Sequence, residues 1–260
     1  MRRTSLFLAL LVIANTISAA TQFKFVTEST GDPLNPRSAG IVRVEGASYR
    51  VDGEGENLIA SASFSTDGGK TVTSLNQQLS TYFRSKFLPS GAQALTSTLY
   101  AVPFLESSQK PVITVKNVLL QEEPTDEVIA GYPTKKYVLT FDHDVRATLQ
   151  GEKLRVIFRT TALIWTTEKI ELAVAPIDLR QILTGQSAVD PAVREALSGV
   201  KGFPLKRRMA VSRRYEGGMV MTDVVTTTFD EFKTVNLPPE ALTVPTGYRY
   251  QEPVIGVPGL

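Results

Sequence analysis

The sequence predicts an α+β fold that is mostly antiparallel β: a strongly curved sheet, or half-barrel, with a few helices covering its concave face. Three observations predict it. Apolar and polar residues alternate without a break from Tyr137 to Gln150, two long hairpins turn at Gly151-Glu152 and at Glu216-Gly217-Gly218, and helical periodicity is scarce. Strands as long as these coil, and a coiled antiparallel sheet becomes a partial barrel.

In chain order, Phe23 and Phe25 open a strand, and Ile41 to Val44 and Tyr49 to Val51 form a pair joined near Gly46. A meander follows: a strand around Phe64, the turn Asp67-Gly68-Gly69, Thr71 to Leu75, a turn at Asn76-Gln77, then Leu79 to Phe83. In the long strand Tyr137, Leu139, Phe141, His143, Val145, Ala147 and Leu149 share the apolar face. Asp142, Asp144 and Arg146 lie on the wet one. Leu154, Val156 and Phe158 return toward Trp165, and Leu205 to Tyr215 pairs with Met219 to Phe229. Three helices are expected. Ser90 caps a stripe of Ala92, Leu95, Leu99 and Val102 that Pro103 ends, and residues 176 to 183 form a second. Asp190-Pro191 starts a third as cap and first residue, with Val193, Ala196, Leu197 and Val200 on one side. Residues 28 to 40 read as a loop and Glu252 to Leu260 as a loosely held tail. No stretch between 104 and 135 is loose enough to divide the chain, so residues 21 to 260 are expected to form a single domain.

The first 20 residues have the pattern of a signal peptide. Met1-Arg2-Arg3 is a positive start, Leu6 to Ile17 is apolar but short for a bilayer span, and Ser18-Ala19-Ala20 offers small residues for cleavage before Thr21. The expected location is therefore periplasmic or secreted, with no integral membrane segment after cleavage. Loss of Arg2 and Arg3 from the 28 basic residues leaves 26 to balance the 26 acidic ones. Such a balance argues against nucleic acid as a partner. The absence of cysteine excludes disulfides, thiolate catalysis, cysteine-ligated metal centres and amino-terminal lipidation.

No motif names a reaction, and the chain is expected not to be an enzyme and to need no cofactor. His143 is the sole histidine, flanked by Asp142 and Asp144, but alternation turns the ring inward and both carboxylates outward, so the triplet cannot close on one metal. Ser107 and Lys110 have the spacing of a serine nucleophile and lysine base, a pattern common by chance, and its partner motifs are missing. Phosphate loops, nucleophile elbows and dinucleotide fingerprints are absent from the sequence. A basic run (Lys201, Lys206, Arg207, Arg208, Arg213, Arg214) could meet lipid head groups or an acidic partner; alternation splits it between faces and makes a solvated rim the plainer reading. The apolar face either packs a dry core or leaves a hollow for a lipid-like ligand.

The order of several short motifs resembles the half-barrel of the periplasmic lipoprotein carrier and the outer-membrane lipoprotein receptor (LolA/LolB-like). It resembles more closely an uncharacterised exported bacterial family with that expected fold. The motifs are Tyr49-Arg50-Val51-Asp52, Asp67-Gly68-Gly69, Thr81-Tyr82-Phe83 and Ile129-Ala130-Gly131-Tyr132-Pro133 before Lys136-Tyr137. Trp165, Gly202-Phe203-Pro204-Leu205-Lys206 and Val244-Pro245-Thr246-Gly247-Tyr248 complete the series. The resemblance implies a curved sheet of eleven strands or fewer wrapped around helices, with an apolar cavity that takes acyl chains in the carriers. Two departures stand out: Phe23 begins a strand where the carrier has a helix, and the lipidated receptor's cysteine is missing.

Together these readings point to a non-enzymatic envelope protein that holds a lipid or other apolar ligand, with Tyr137, Leu139, Phe141 and Trp165 as candidate liners. Two rivals stay open: an envelope protein–protein interaction module with a filled core, and a carboxylate-based hydrolase.

Overall fold

A single twelve-stranded sheet organises the computed structural model, which describes residues 19–30, 37–54, 61–85, 100, 111–149, 152–174, 182, 184 and 186–252. Its amino-terminal half is a meander of β1 (Ala20–Ser29), β2 (Arg37–Glu45), β3 (Ser48–Glu54), β4 (Ala62–Ser65), β5 (Val72–Asn76) and β6 (Thr81–Ser85). The other half holds β7 (Val112–Glu123), β10 (Lys135–Leu149), β11 (Glu152–Thr167), β12 (Phe203–Tyr215) and β13 (Val220–Val235). Between β7 and β10, β8 (Val128–Ile129) and β9 (Tyr132–Pro133) make a separate small hairpin. Its turn residues Ala130 and Gly131 both have positive φ, 50° and 83°, the geometry that matches strand twist in a tight hairpin.

Neighbours run in the order β14, β6, β5, β4, β3, β2, β1, β13, β12, β11, β10, β7, where β14 is Arg249–Tyr250. The first strand pairs with the last long one, Phe25 opposite Phe229, and this seam joins the two meanders into one curved sheet that does not close into a barrel. All these pairs are antiparallel except β14 with β6. That short parallel strand makes the sheet one strand larger than the eleven expected. The residues just ahead of the expected tail are tied down, Arg249 N–H donating to the Ser80 carbonyl and Gln251 N–H to that of Tyr82; of the tail itself only Glu252 is among the described residues.

Three bulges bend the long strands. Asn117, at φ 55°, and Val118 together face Phe141; Glu231, at φ 52°, and Phe232 face Phe23; and Leu205 is an extra residue between the pairs Trp165 with Lys206 and Thr166 with Pro204. Each insertion sharpens local twist, which lets so wide a sheet curve around one apolar layer.

Helix content is lower than expected. Among the described residues there is one α-helix, α1 (Asp190–Leu197), and a short 3-10 turn at Pro239–Leu242, so the fold is closer to all-β than to α+β with several helices. The expected helices at 90–102 and 176–183 lie outside the described residues apart from Tyr100 and Ile182, as does the signal peptide up to residue 18. Helix α1 also starts differently from its expected cap. Val189 is the cap, and Asp190 turns its carboxylate back to accept from the Thr184 N–H and hydroxyl, both at 2.8 Å. Asp190 is thus the first helical residue rather than the cap, and its Oδ1 closes the preceding turn.

Candidate functional site

The inner face of the sheet is set by alternation and register. Tyr137, Leu139, Phe141, His143 and Val145 of β10 lie opposite Ile164, Ala162, Thr160, Phe158 and Val156 of β11. The next strands add Met209, Val211 and Val225 on the same side. A second apolar group continues across the seam through Phe23, Phe25, Val42, Val51, Leu205 and Phe229. Phe23, Phe203 and Phe229 meet edge to face with centroids 5.4 to 6.1 Å apart. Such contacts add to what burial of large rings already contributes.

Of the two outcomes left open for this face, a dry core or a hollow, the described residues show a packed layer at the candidate liners of β10. Tyr137, Leu139 and Phe141 are 3%, 0% and 1% exposed, packed in one cluster with Val193 and Leu197 of α1 and with Tyr100, Ile182 and Val189. The helix rests on side chains, and Gly199 just past its end approaches so closely that an added Cβ would stand 3.0 Å from Leu120 Cδ2. Ile129 and Tyr132 of the small hairpin, with Ile170, Leu172 and Val174, pack against the second group.

His143 is the exception in this layer. Its ring is 1% exposed and lies on Phe158 with centroids 4.5 Å apart, while Tyr100 and Phe141 stand at 5.6 and 6.2 Å. Neither ring nitrogen has a hydrogen-bond partner. Burial lowers its pKa to about 4, against the pull of Asp142 and Asp144, so the imidazole is neutral at ordinary pH. An unsatisfied buried polar atom costs about 1–3 kcal/mol and calls for an explanation. Above it the Tyr100 hydroxyl is 3.0 Å from Thr160 Oγ1, and burial raises its phenol well above the usual range.

The two aspartates face outward as expected, but Asp144 is not solvated. It is buried and accepts from Arg155 at 2.6 Å and Arg146 at 3.2 Å, and its hydrogen bond with Arg155 chiefly lowers its pKa. The solvated rim expected for the basic run is likewise corrected: Arg207 and Arg213 are buried on the inner face, while Arg208 and Arg214 are exposed on the other. Arg213 pairs with Asp223 of β13, also buried. That pair was legible in principle, since the Gly217-Gly218 turn places residues 213 and 223 on one face, but the register had to be drawn to see it.

Trp165 does not join the other candidate liners. It pairs with Lys136 and Lys206, on the opposite face from Tyr137 and Ile164. There the Lys206 ammonium sits 4.7 Å from its ring, and its indole N–H donates to Glu127 Oε1 at 3.0 Å. It is a packed outer residue that anchors the approach to the small hairpin. Ser107 and Lys110 lie outside the described residues.

Among the described residues no three His, Asp or Glu side chains converge on a metal position, and no helix is long and apolar enough to cross a membrane. A cavity of about 280 Å³ lies away from the apolar layer, between Phe64, Asp67, Thr73 and Arg84 of the amino-terminal meander and Leu242 and Val244 of the carboxy-terminal segment.

No protein-family model and no curated protein matches the chain. Among solved structures it is similar to PNGF-II in two crystal forms. Each is 12% identical over 90% of this chain, with TM-scores of 0.38 and 0.37. The chain spans about a third of PNGF-II, 32% and 31% of its length in the two forms. It is also similar to the LolA superfamily protein NE2245 from Nitrosomonas europaea, at 12% identity, over 87% of this chain and 90% of that one, with a TM-score of 0.31. These are distant likenesses and say nothing of a ligand or an activity.

Proposed function

We propose that this chain is an exported, non-enzymatic protein of the cell envelope that takes up a lipid or other apolar molecule against the inner face of its sheet by displacing the cover. One observation carries the reading: an unclosed sheet presents a broad apolar face, and the described helix covers it through side chains such as Val193 and Leu197. Burying side chains such as Val193 and Leu197 is worth about 1.5–3 kcal/mol each, an amount that an acyl chain in the same place would return. The signal-peptide pattern of residues 1 to 20 supports export, and periplasmic or secreted placement follows from it. The test is native mass spectrometry and lipid extraction of the mature chain purified from cells, with uptake of N-phenyl-1-naphthylamine by the delipidated protein. Co-purified lipid and saturable uptake are expected; neither appearing would end the proposal.

The interaction-module reading has its own observations. The inner face is filled at Tyr137, Leu139 and Phe141, and the tip of the β12–β13 hairpin exposes Met219, Val220 and Met221 at 57%, 56% and 43%. An envelope protein cross-linked through residues 219 to 221, from a chain that takes up no probe, would favour this reading.

A further inference from the structure

We propose that His143 is the polar recognition point of the inner-face site, accepting the oxygen head group of a single-chain amphiphile: a fatty-acid carboxyl or a long-chain hydroxyl. The inference rests on the ligand-binding reading above and deepens it by naming the ligand's polar end.

The ring is walled by Phe158, Phe141 and Tyr100, and both its nitrogens are unpartnered; the charged group across from Phe158 on this face, Arg213, is held by Asp223. Were the position needed for packing alone, a phenylalanine would stack on Phe158 equally well without two orphaned polar atoms. A neutral imidazole donates from one nitrogen and accepts at the other, which suits a hydroxyl, or a carboxyl oxygen taking the N–H.

A second group stands ready beside it. Phe158 faces His143 directly, and Thr160, two residues on, is its diagonal neighbour across the strand pair. The Thr160 hydroxyl is occupied by Tyr100, which is itself part of the cover. Moving Tyr100 aside therefore removes the ring above His143 and frees the Thr160 hydroxyl in one step. The head group would meet imidazole and hydroxyl together, and its chain would run over Phe141, Leu139 and Tyr137, which follow along β10 on the same face.

The experiment uses the mature chain, residues 21 to 260, delipidated, as wild type and His143→Phe. N-phenyl-1-naphthylamine, which lacks an oxygen head group, reports the apolar site; sodium laurate and 1-dodecanol compete for it. Measured against each protein's own probe affinity, laurate and dodecanol are expected to compete about tenfold less well in the variant, the effect of one buried hydrogen bond. Because the sequence holds one histidine, its imidazole nitrogen resonances in the unaltered protein give a second readout, and laurate should move them. This readout holds even if the variant does not fold. Probe uptake with equal competition in both proteins, or bound laurate with unmoved imidazole signals, overturns the role of His143 and leaves the binding site standing. No uptake of probe or amphiphile by wild type overturns the site and His143 with it.

Discussion

The imidazole of His143 lies flat on the Phe158 ring, the planes 3° from parallel, and that stack has a price in acid. The folded pKa is about 4 against an ordinary 6.5, so between these values the unfolded chain binds the proton and the folded chain does not. Stability should be at its full value above pH 6.5 and fall as pH drops toward 4, by about 3 kcal/mol in all from this group. His143→Phe should flatten that part of the profile, as read by urea midpoints from pH 7.5 to 4; an unchanged slope would count against a desolvated ring.

Arg213 and Asp223 form a buried ion pair across β12 and β13. Removing one charge strands the other, so Asp223→Leu should lower unfolding free energy by about 3–5 kcal/mol. Arg213→Met with Asp223→Leu together should recover most of that loss. Denaturant titration of both single variants and the double variant gives the coupling directly.

A Cβ added at Gly40 would stand 2.4 Å from the Asp52 carbonyl oxygen and 2.6 Å from Phe25 Cε1. Phe25 lies across this glycine beside the seam, and neither backbone nor ring can retreat freely. Gly40→Ala should cost about 1–3 kcal/mol, seen as a lower thermal midpoint.

The cover can be locked because the chain has no thiols of its own. Leu120→Cys with Gly199→Cys puts two cysteines where α1 ends against β7. Oxidation should abolish uptake of N-phenyl-1-naphthylamine, and reduction should restore it. Uptake by the oxidised form would mean that α1 is not the part that moves.

Trp165→Phe should leave probe uptake unchanged, since the indole occupies the face opposite Phe141. Leu139→Gln, on the inner face, should impair it. Equal effects of the two variants in a binding titration would place the ligand elsewhere.

What was legible in the sequence follows from what alternation can say. From Tyr137 to Val145 it gave the correct inward set, and the turns at Gly46 and Gly217-Gly218 gave the hairpins. Period two assigns a side chain to a face, but it cannot say what a neighbouring strand brings there. Asp144 reads as wet until Arg155 of β11 is laid beside it, and Arg207 and Arg213 read as rim until their face proves to be the inner one. Trp165 fails as a liner for the opposite reason: its parity excluded it, and only its aromatic character recommended it. β14 gave no signal, being two residues long.

The bulge at Asn117 and Val118 lies in β7, a terminal strand of an unclosed sheet. A straight strand there would offer a free edge twelve residues long, with every second residue's backbone groups turned outward, and exposed Val112 and Leu119, as a template on which another chain could extend the ladder. The kink splits that template into two short runs that cannot both be matched by one flat strand. The distortion that wraps the sheet around its contents thus also guards the chain against stacking into fibres at high concentration.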